Sequence, residues 1–164
     1  LRFGRTAARE TVPVKPALEA DVRAVLPHLS RQVAAMVELQ WLTGMRPGEV
    51  VQMRTADLDR SGKVWLYRPQ RHKTMHHGHV RVIALGPKAQ AILALFIRLD
   101  PLVLLFSPKE AEEERRVTQA SLRKSKVQPS QVARHLKRLS NPRLQHREGY
   151  KTSSYALAVA RASC

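Results

Sequence analysis

A helical pattern of apolar residues ends abruptly at Gly44, and the junction that follows constrains the fold more than any other feature. Ser30 is a typical helix N-cap, and apolar residues then recur at helical spacing as far as Trp41. Gly44 is a typical helix stop because glycine adopts the left-handed conformation without steric cost. Pro47 suits the first turn of a following helix. The sequence therefore predicts a long helix joined to a short helix over 48–53.

The pattern after this junction changes from helical spacing to alternation. Residues 63–67 are rich in strand formers, and residues 80–84 alternate Val80, Val82 and Ala84 with Arg81 and Ile83. The polar residues 68–78 between them predict a long, basic hairpin connection. Proline-initiated apolar patterns predict two more helices, over 16–27 and 87–98. We expect an α+β fold, mainly helical, with a small antiparallel β-hairpin or sheet.

The core is predicted from the same spacing. We expect the helix over 87–98 to bury one apolar face, which consists of Ala91, Ile92, Leu95 and Phe96. We also assign three large side chains near the junction to the core, namely Met36, Trp41 and Met53.

Composition divides the chain into four segments. Residues 1–16 form a basic lead-in, and residues 17–106 contain the elements described above. Residues 107–150 begin with an acidic run and continue with Arg, Lys, Ser, Gln and Pro, so we interpret them as a basic, mainly mobile insertion that is at most partly helical. Residues 151–164 begin an alanine-rich helix. Because the chain starts without Met and stops within this pattern, we expect a fragment.

The charge balance predicts the kind of partner. The chain has 29 Lys and Arg against 13 Asp and Glu, a formal net charge of +16, which favours a polyanionic partner. Aromatic residues are only 5%, so the stacking that single-stranded nucleic acid requires is scarce, and duplex DNA is favoured. No apolar stretch reaches the roughly 18 residues of a membrane span. Its one cysteine, Cys164, cannot form an internal disulfide, and we expect a bacterial cytoplasmic, DNA-associated protein.

Two cationic residues are candidates for phosphate chemistry. Arg46 lies at the helix junction, and Glu49 follows three residues later, where it can hold the guanidinium. An arginine held in this way presents a bidentate fork to a phosphate. Lys73 lies at the tip or edge of the predicted hairpin. We expect further DNA contacts from residues of the hairpin, which are Arg71, His72, Thr74, His76, His77 and Arg81.

This ordered set of helix, arginine junction, hairpin lysine and helix resembles the catalytic domain of the tyrosine recombinases, the phage-integrase family. Residues 42–50, Leu-Thr-Gly-Met-Arg-Pro-Gly-Glu-Val, look like the first arginine box of that family. The hairpin with Lys73, followed by a strand and residues 85–87, is similar to its catalytic lysine region. The resemblance covers about residues 16–98, and residues 107–150 look like the basic insertion of one bacterial branch of integrases.

The resemblance implies a mechanism. Members of the family cut one DNA strand by attack of a tyrosine on the scissile phosphate, which forms a 3′-phosphotyrosyl link. Carried over to this chain, Arg46 would stabilise the charge that develops on the phosphate, and Glu49 would support it. Lys73 would protonate the leaving 5′-oxygen as a general acid. The family needs no cofactor and no metal, so we expect neither. Its members form tetramers on DNA, but we expect this chain to be a monomer.

The family also uses a His-x-x-Arg box on an apolar helix and a tyrosine near its end. Residues 135–138 match the letters of the box, but Pro142 follows closely, and we expect no helix and no apolar periodicity there. We interpret Tyr150 and Tyr155 as packing residues. The second arginine and the nucleophile are therefore expected beyond Cys164, and the isolated chain is predicted not to cleave DNA.

Three alternatives remain open. Residues 32–54 can form a helix-turn-helix with a recognition helix over 48–54, in a non-catalytic basic DNA-binding module. An RNA- or ribosome-associated basic protein is disfavoured by the scarcity of aromatic residues. A zinc site is disfavoured because no cysteine or carboxylate lies near the histidine cluster, which consists of His72, His76, His77 and His79.

Overall fold

The computed structural model describes residues 15–73, 78, 80–140 and 147–163. Its helices are α1 (Glu19–Val25), α2 (Arg31–Thr43), α3 (Pro47–Val51), α4 (Pro87–Ala94), α5 (Pro108–Ser121), α6 (Pro129–Ser140) and α7 (Thr152–Ala162). Its strands are β1 (Leu58–Asp59), β2 (Trp65–Tyr67) and β3 (Ile83–Leu85). The predicted α+β class, mainly helical with a small antiparallel sheet, is confirmed.

Helix α2 is the centre of the fold, and its ends are those that the sequence predicts. The hydroxyl of Ser30 accepts a hydrogen bond from the backbone N–H of Val33, which satisfies one free donor of the first turn. Gly44 ends the helix with a φ of 64°, in the left-handed region. Met36 and Leu39 are fully buried, and α2 packs against α3, α4, α5, α7 and β3.

The three strands form one antiparallel sheet in the order β1-β2-β3. Tyr67 on β2 pairs with Ile83 on β3 and with Leu58 on β1, and its ring is fully buried. The antiparallel pairing of the two predicted strands is confirmed, although β2 occupies only the last three of residues 63–67. The second strand is shifted, because β3 overlaps the predicted residues 80–84 only at Ile83 and Ala84. The sequence analysis missed β1, because a strand of two residues is too short to show alternation.

Two core predictions are wrong. Helix α4 buries Ala89 and Leu93, whereas the predicted face fails at Ala91, which is exposed, and at Leu95 after the helix, which is 71% exposed. The predicted burial of Phe96, which also follows the helix, is confirmed. This helix is apolar on nearly every face, so periodicity alone does not identify the face that meets α2. Trp41 is 48% exposed, and it lines an open apolar groove of about 580 Å³ between α2 and α7.

The predicted core positions Met36 and Met53 are both fully buried, so that part of the core prediction is confirmed. The backbone of Met53 also joins distant parts of the chain, since its carbonyl oxygen accepts a hydrogen bond from the N–H of Leu105 at 2.9 Å. This contact places the segment before α5 against the junction that follows α3.

The first part of the expected insertion is a helix that contacts the rest of the protein. The side-chain carbonyl of the buried Gln32 accepts a hydrogen bond from the N–H of Ser107, directly before α5. The guanidinium of Arg98 donates to both carboxylate oxygens of Glu110, at 2.5 and 2.6 Å, and also to the carbonyl oxygen of Leu105. Helix α5 is therefore anchored by long-range polar contacts that a local pattern does not reveal.

The expectation that no helix contains residues 135–138 is wrong. Helix α6 includes them and ends at Ser140, two residues before Pro142, so the proline limits the helix without preventing it. Val132 and Leu136 lie one helical turn apart and supply the apolar periodicity. The division of the chain into four segments and the mobility of the insertion stay predictions, and most of the basic lead-in lies outside the described residues.

Among the described residues, no helix has both the length and the apolar character needed to cross a membrane.

The left-handed conformation of Gly44 predicts opposite effects of alanine at two nearby glycines. A Cβ at Gly44 would meet nothing within 4 Å, so Gly44→Ala tests backbone strain alone and should lower the free energy of unfolding by about 1–2 kcal/mol. Gly48 lies inside α3, where its Cβ would make an ordinary contact with Thr152 at 3.9 Å. Gly48→Ala should therefore raise stability by about 0.5–1 kcal/mol. Urea unfolding of both variants measures this, and equal losses would contradict it.

The ion pair between Arg98 and Glu110 predicts a pH dependence. The hydrogen bonds from Arg98 lower the pKa of Glu110 in the folded protein. The carboxylate therefore stabilises the fold fully above its unfolded pKa of about 4.3, and this contribution is lost as the pH falls through the lower folded pKa. The stability difference between wild type and Glu110→Gln should shrink between pH 6 and pH 3. Glu113→Gln on the exposed side of α5 is the control, and an identical pH profile for both variants would contradict the account.

Candidate phosphate-binding site

Arg46 is placed by the short connection between α2 and α3. It is the N-cap residue of α3, with extended backbone dihedrals, and Pro47 begins the helix after it. The side-chain amide of Gln40 donates to the carbonyl oxygen of the buried Met45 at 3.0 Å, which fixes the residue before Arg46. The side chain of Arg46 is 47% exposed. The backbone at this arginine is thus held firmly while its guanidinium reaches solvent.

Glu49 organises the site from beneath. Its side chain is only 2% exposed, and its Oε2 accepts a hydrogen bond from the backbone N–H of Arg46 at 2.8 Å. This bond satisfies a free donor at the helix start, as in one half of a capping box. Oε1 also lies 3.5 Å from Nη1 of Arg46. The predicted support of Arg46 by Glu49 is therefore present, and it acts on both the backbone and the guanidinium.

Arg81 is the second guanidinium on the same carboxylate. Its Nε donates to Oε1 of Glu49 at 3.1 Å, and its Nη2 donates to Oε2 at 3.3 Å. We call Arg46, Glu49 and Arg81 the arginine cluster. Two guanidiniums share one buried carboxylate, so the arginine cluster retains one net positive charge. The sequence analysis assigned Arg81 to DNA contact, whereas in the structure its bidentate partner is Glu49.

The position of Arg81 on its segment explains why it faces inward. Ile83 and Leu85 on β3 are buried while Ala84 between them is exposed, and Arg81 shares the parity of the buried pair. An arginine at an inward position needs a carboxylate partner, because an unpaired buried charge is costly. That parity is the one sequence signal that could have linked Arg81 to an acidic residue.

The sheet is tied to the arginine cluster through Tyr67. Its hydroxyl donates a hydrogen bond to the backbone carbonyl oxygen of Glu49 at 2.7 Å. Burial raises the pKa of Tyr67 well above its usual value, so the phenol stays protonated as a donor. Strand β2 therefore fixes α3, and with it the arginine cluster.

The hairpin connection between β2 and β3 passes beside the C-terminal end of α3. The side-chain amide of Gln52, which follows α3, donates to the carbonyl oxygen of Arg71 at 2.6 Å. Arg46 precedes the first residue of α3 and Gln52 follows its last, so the two lie at opposite ends of this short helix. His72 is half-buried, and Lys73 is exposed. Three other predicted contacts lie outside the described residues, namely Thr74, His76 and His77.

The described residues contain no group of three side chains that could hold a metal ion. Of the histidines considered for a zinc site, only His72 belongs to the described part of the chain.

All three tyrosines of the chain are covered rather than exposed. Tyr155 is buried, donates its hydroxyl hydrogen bond to Gln40, and has a pKa raised by burial to about 12. Burial also raises the pKa of Tyr150, which packs against the core. The packing role predicted for both residues agrees with these contacts. A protonated, covered phenol is a poor nucleophile.

Helix α3 does not suit the recognition helix of a helix-turn-helix. It has five residues, and Glu49, Val50 and Val51 are buried. A recognition helix must present several side chains to the DNA major groove, and α3 instead directs most of its side chains inward.

No protein-family model matches the chain, and no curated protein matches it in sequence. The functional interpretation therefore depends on its own residues.

Neutralising Glu49 should destabilise the fold. Glu49→Gln removes the carboxylate that both guanidiniums share, so we expect the free energy of unfolding to fall by about 1–3 kcal/mol. The control is Glu19→Gln, which breaks an exposed ion pair with Arg23 on α1 and should cost no more than about 0.5 kcal/mol. Chemical unfolding measures both variants, and a Glu49→Gln protein as stable as wild type would contradict the role of this carboxylate.

Proposed function

We propose that this chain is the phosphate-binding part of a tyrosine recombinase catalytic domain, which holds duplex DNA through Arg46 and Lys73. The observation that carries the proposal is the support of the half-exposed Arg46 by a buried carboxylate. A guanidinium whose backbone and side chain are both fixed loses little freedom when it binds a phosphate.

The charges within the arginine cluster favour an anion at Arg46 rather than at Arg81. Both oxygens of Glu49 accept hydrogen bonds from Arg81, so this guanidinium already has a bidentate partner. Arg46 has one longer contact with the carboxylate and greater exposure. The remaining donors of Arg46 and the net positive charge of the cluster are therefore available to a phosphate oxygen.

Lys73, in the hairpin connection between β2 and β3, is the second cation of the proposed phosphate site. It is exposed, and the contact between Gln52 and Arg71 fixes the chain two residues before it beside the end of α3. In the proposed mechanism its ammonium group gives a proton to the leaving 5′-oxygen while Arg46 stabilises the charge on the phosphate. These two roles need no metal ion.

The chain itself is proposed to bind DNA without cutting it. Tyr67, Tyr150 and Tyr155 are its only tyrosines, and burial raises the pKa of each. None of them suits attack on phosphorus. Under the proposal, the nucleophile and the second arginine are supplied by residues outside this sequence.

A non-catalytic basic DNA-binding module is the second candidate, favoured by the net charge of +16. In that case affinity is spread over many surface cations, and no single pair dominates. The two candidates differ in whether Arg46 and Lys73 act on one phosphate.

A double-mutant cycle on DNA binding tests this difference. We expect Arg46→Ala and Lys73→Ala each to weaken binding to a short duplex about tenfold, since a hydrogen bond to a charged group contributes about 1.5 kcal/mol or more. If both cations hold the same phosphate, the double variant should deviate from additivity by at least about 0.5 kcal/mol. Fluorescence anisotropy at fixed low salt gives the four affinities.

The matched control cycle pairs Arg46→Ala with Arg60→Ala. Arg60 carries the same charge but lies over the ring of Trp65, in the turn between β1 and β2. That turn is at the opposite end of the sheet from the hairpin, so the control cycle should be additive. Additive losses in both cycles would favour the diffuse basic module over the recombinase proposal.

A further inference from the structure

The two halves of the segment over 108–140 differ in charge and in contacts. Helix α5 contains both signs of charge, and each of its three cations has a carboxylate partner. Lys109 pairs with Glu148 at 3.4 Å, and Glu112 pairs with Arg115 at 2.7 Å and with Arg116 at 3.0 Å. The positive charge of α5 is thus neutralised within the protein.

The acidic side chains of α5 also dock it on the body. Glu114 pairs with Arg31 of α2, and Glu110 accepts hydrogen bonds from Gln32 and Arg98. Helix α5 therefore docks on the rest of the protein through ion pairs, and each of its cations has a carboxylate partner.

Residues 122–140, which we call the basic arm, have the opposite character. The basic arm contains no Asp or Glu, and it includes the connection after α5 and the whole of α6. Its cations are Arg123, Lys124, Lys126, Arg134, Lys137 and Arg138. All of them are exposed, and none forms an ion pair with any described residue.

Helix α6 gathers three of these charges on one face. Arg134 lies three residues before Lys137 and four before Arg138, so their side chains are neighbours on the helix surface. Like charges at these spacings destabilise an isolated helix. A polyanion laid along this face would remove the repulsion and gain counterion release.

We propose that the basic arm is a second contact to the backbone of duplex DNA, separate from the site at Arg46 and Lys73. The proposal rests on the proposed function only in taking duplex DNA as the partner. It assigns the insertion two tasks, since α5 fixes the segment to the rest of the protein and the basic arm holds phosphates other than the one at Arg46 and Lys73. Contacts from two separate parts of the chain would lengthen the bound stretch of DNA.

An anionic membrane surface is the other polyanion that a basic amphipathic helix can bind. The sequence of α6 opposes it, because its large apolar residues, Val132, Leu136 and Leu139, are all aliphatic and the basic arm has no aromatic residue. Helices that lie in a bilayer surface bury larger faces with Trp, Phe or Leu. Half of the cations also lie in the connection before α6, outside any amphipathic face.

The test neutralises the charged face of α6 and measures the salt dependence of DNA binding. In the full chain, the triple variant Arg134→Gln, Lys137→Gln and Arg138→Gln keeps good helix formers. We expect the slope of log affinity against log salt to fall by about 2.7, at about 0.9 for each lost phosphate contact. The matched control is Lys109→Gln, Arg115→Gln and Arg116→Gln on α5, which removes three paired charges and should change the slope by less than about 1. Circular dichroism checks that both variants remain helical.

The outcomes separate this proposal from the recombinase proposal. A reduced slope for the α6 variant with an additive Arg46 and Lys73 cycle supports the basic arm and rejects the shared phosphate. An unchanged slope with a coupled cycle rejects the basic arm alone. Equal slope changes for the α5 and α6 variants would also overturn the proposal. It would likewise be overturned if the α6 variant lost binding to vesicles with anionic lipid headgroups but kept its affinity for DNA.

Discussion

The buried carboxylate of Glu49 is the interaction on which the rest of the site depends. It accepts a hydrogen bond from the backbone N–H of Arg46, and it holds the guanidiniums of Arg46 and Arg81. A buried charge is tolerated only when it is paired and hydrogen-bonded. The helix junction and the segment before β3 must therefore be in place together around this side chain, while β2 holds the backbone carbonyl oxygen of the same residue through Tyr67.

The charged side chains on the described surface fall into two groups, those that have a partner of opposite charge and those that have none. Where the body meets α5, arginines and glutamates neutralise each other, as in the pair of Arg98 and Glu110. At Arg46 a positive charge remains after pairing, and along the basic arm no acidic residue is present. The basic arm alone contributes six positive charges to the net charge of +16, and none of the six has an acidic partner among the described residues. This distribution is what a polyanionic backbone requires of its partner.

Features set by neighbours in sequence could be predicted, whereas those set by distant contacts could not. The caps at Ser30 and Gly44, and the support of Arg46 by Glu49, each depend on a few adjacent residues. The bond between Arg81 and Glu49 joins residues 32 positions apart, and no local pattern contains it. The apolar face of α4 likewise depends on what the helix packs against, so spacing alone misplaced it. The described side chains of α6 are exposed, and the sequence analysis missed this helix because Pro142 was taken to prevent it, whereas the helix ends two residues before the proline.

A crystal structure of this chain bound to a short DNA duplex tests the central claim most directly. The account predicts that the Arg46 guanidinium and the Lys73 ammonium lie within hydrogen-bonding distance of one phosphate while Arg81 stays on Glu49. The account would be contradicted if the two cationic groups bound phosphates on opposite sides of the molecule. It would also be contradicted if Arg81 left Glu49 to bind the DNA in place of Arg46.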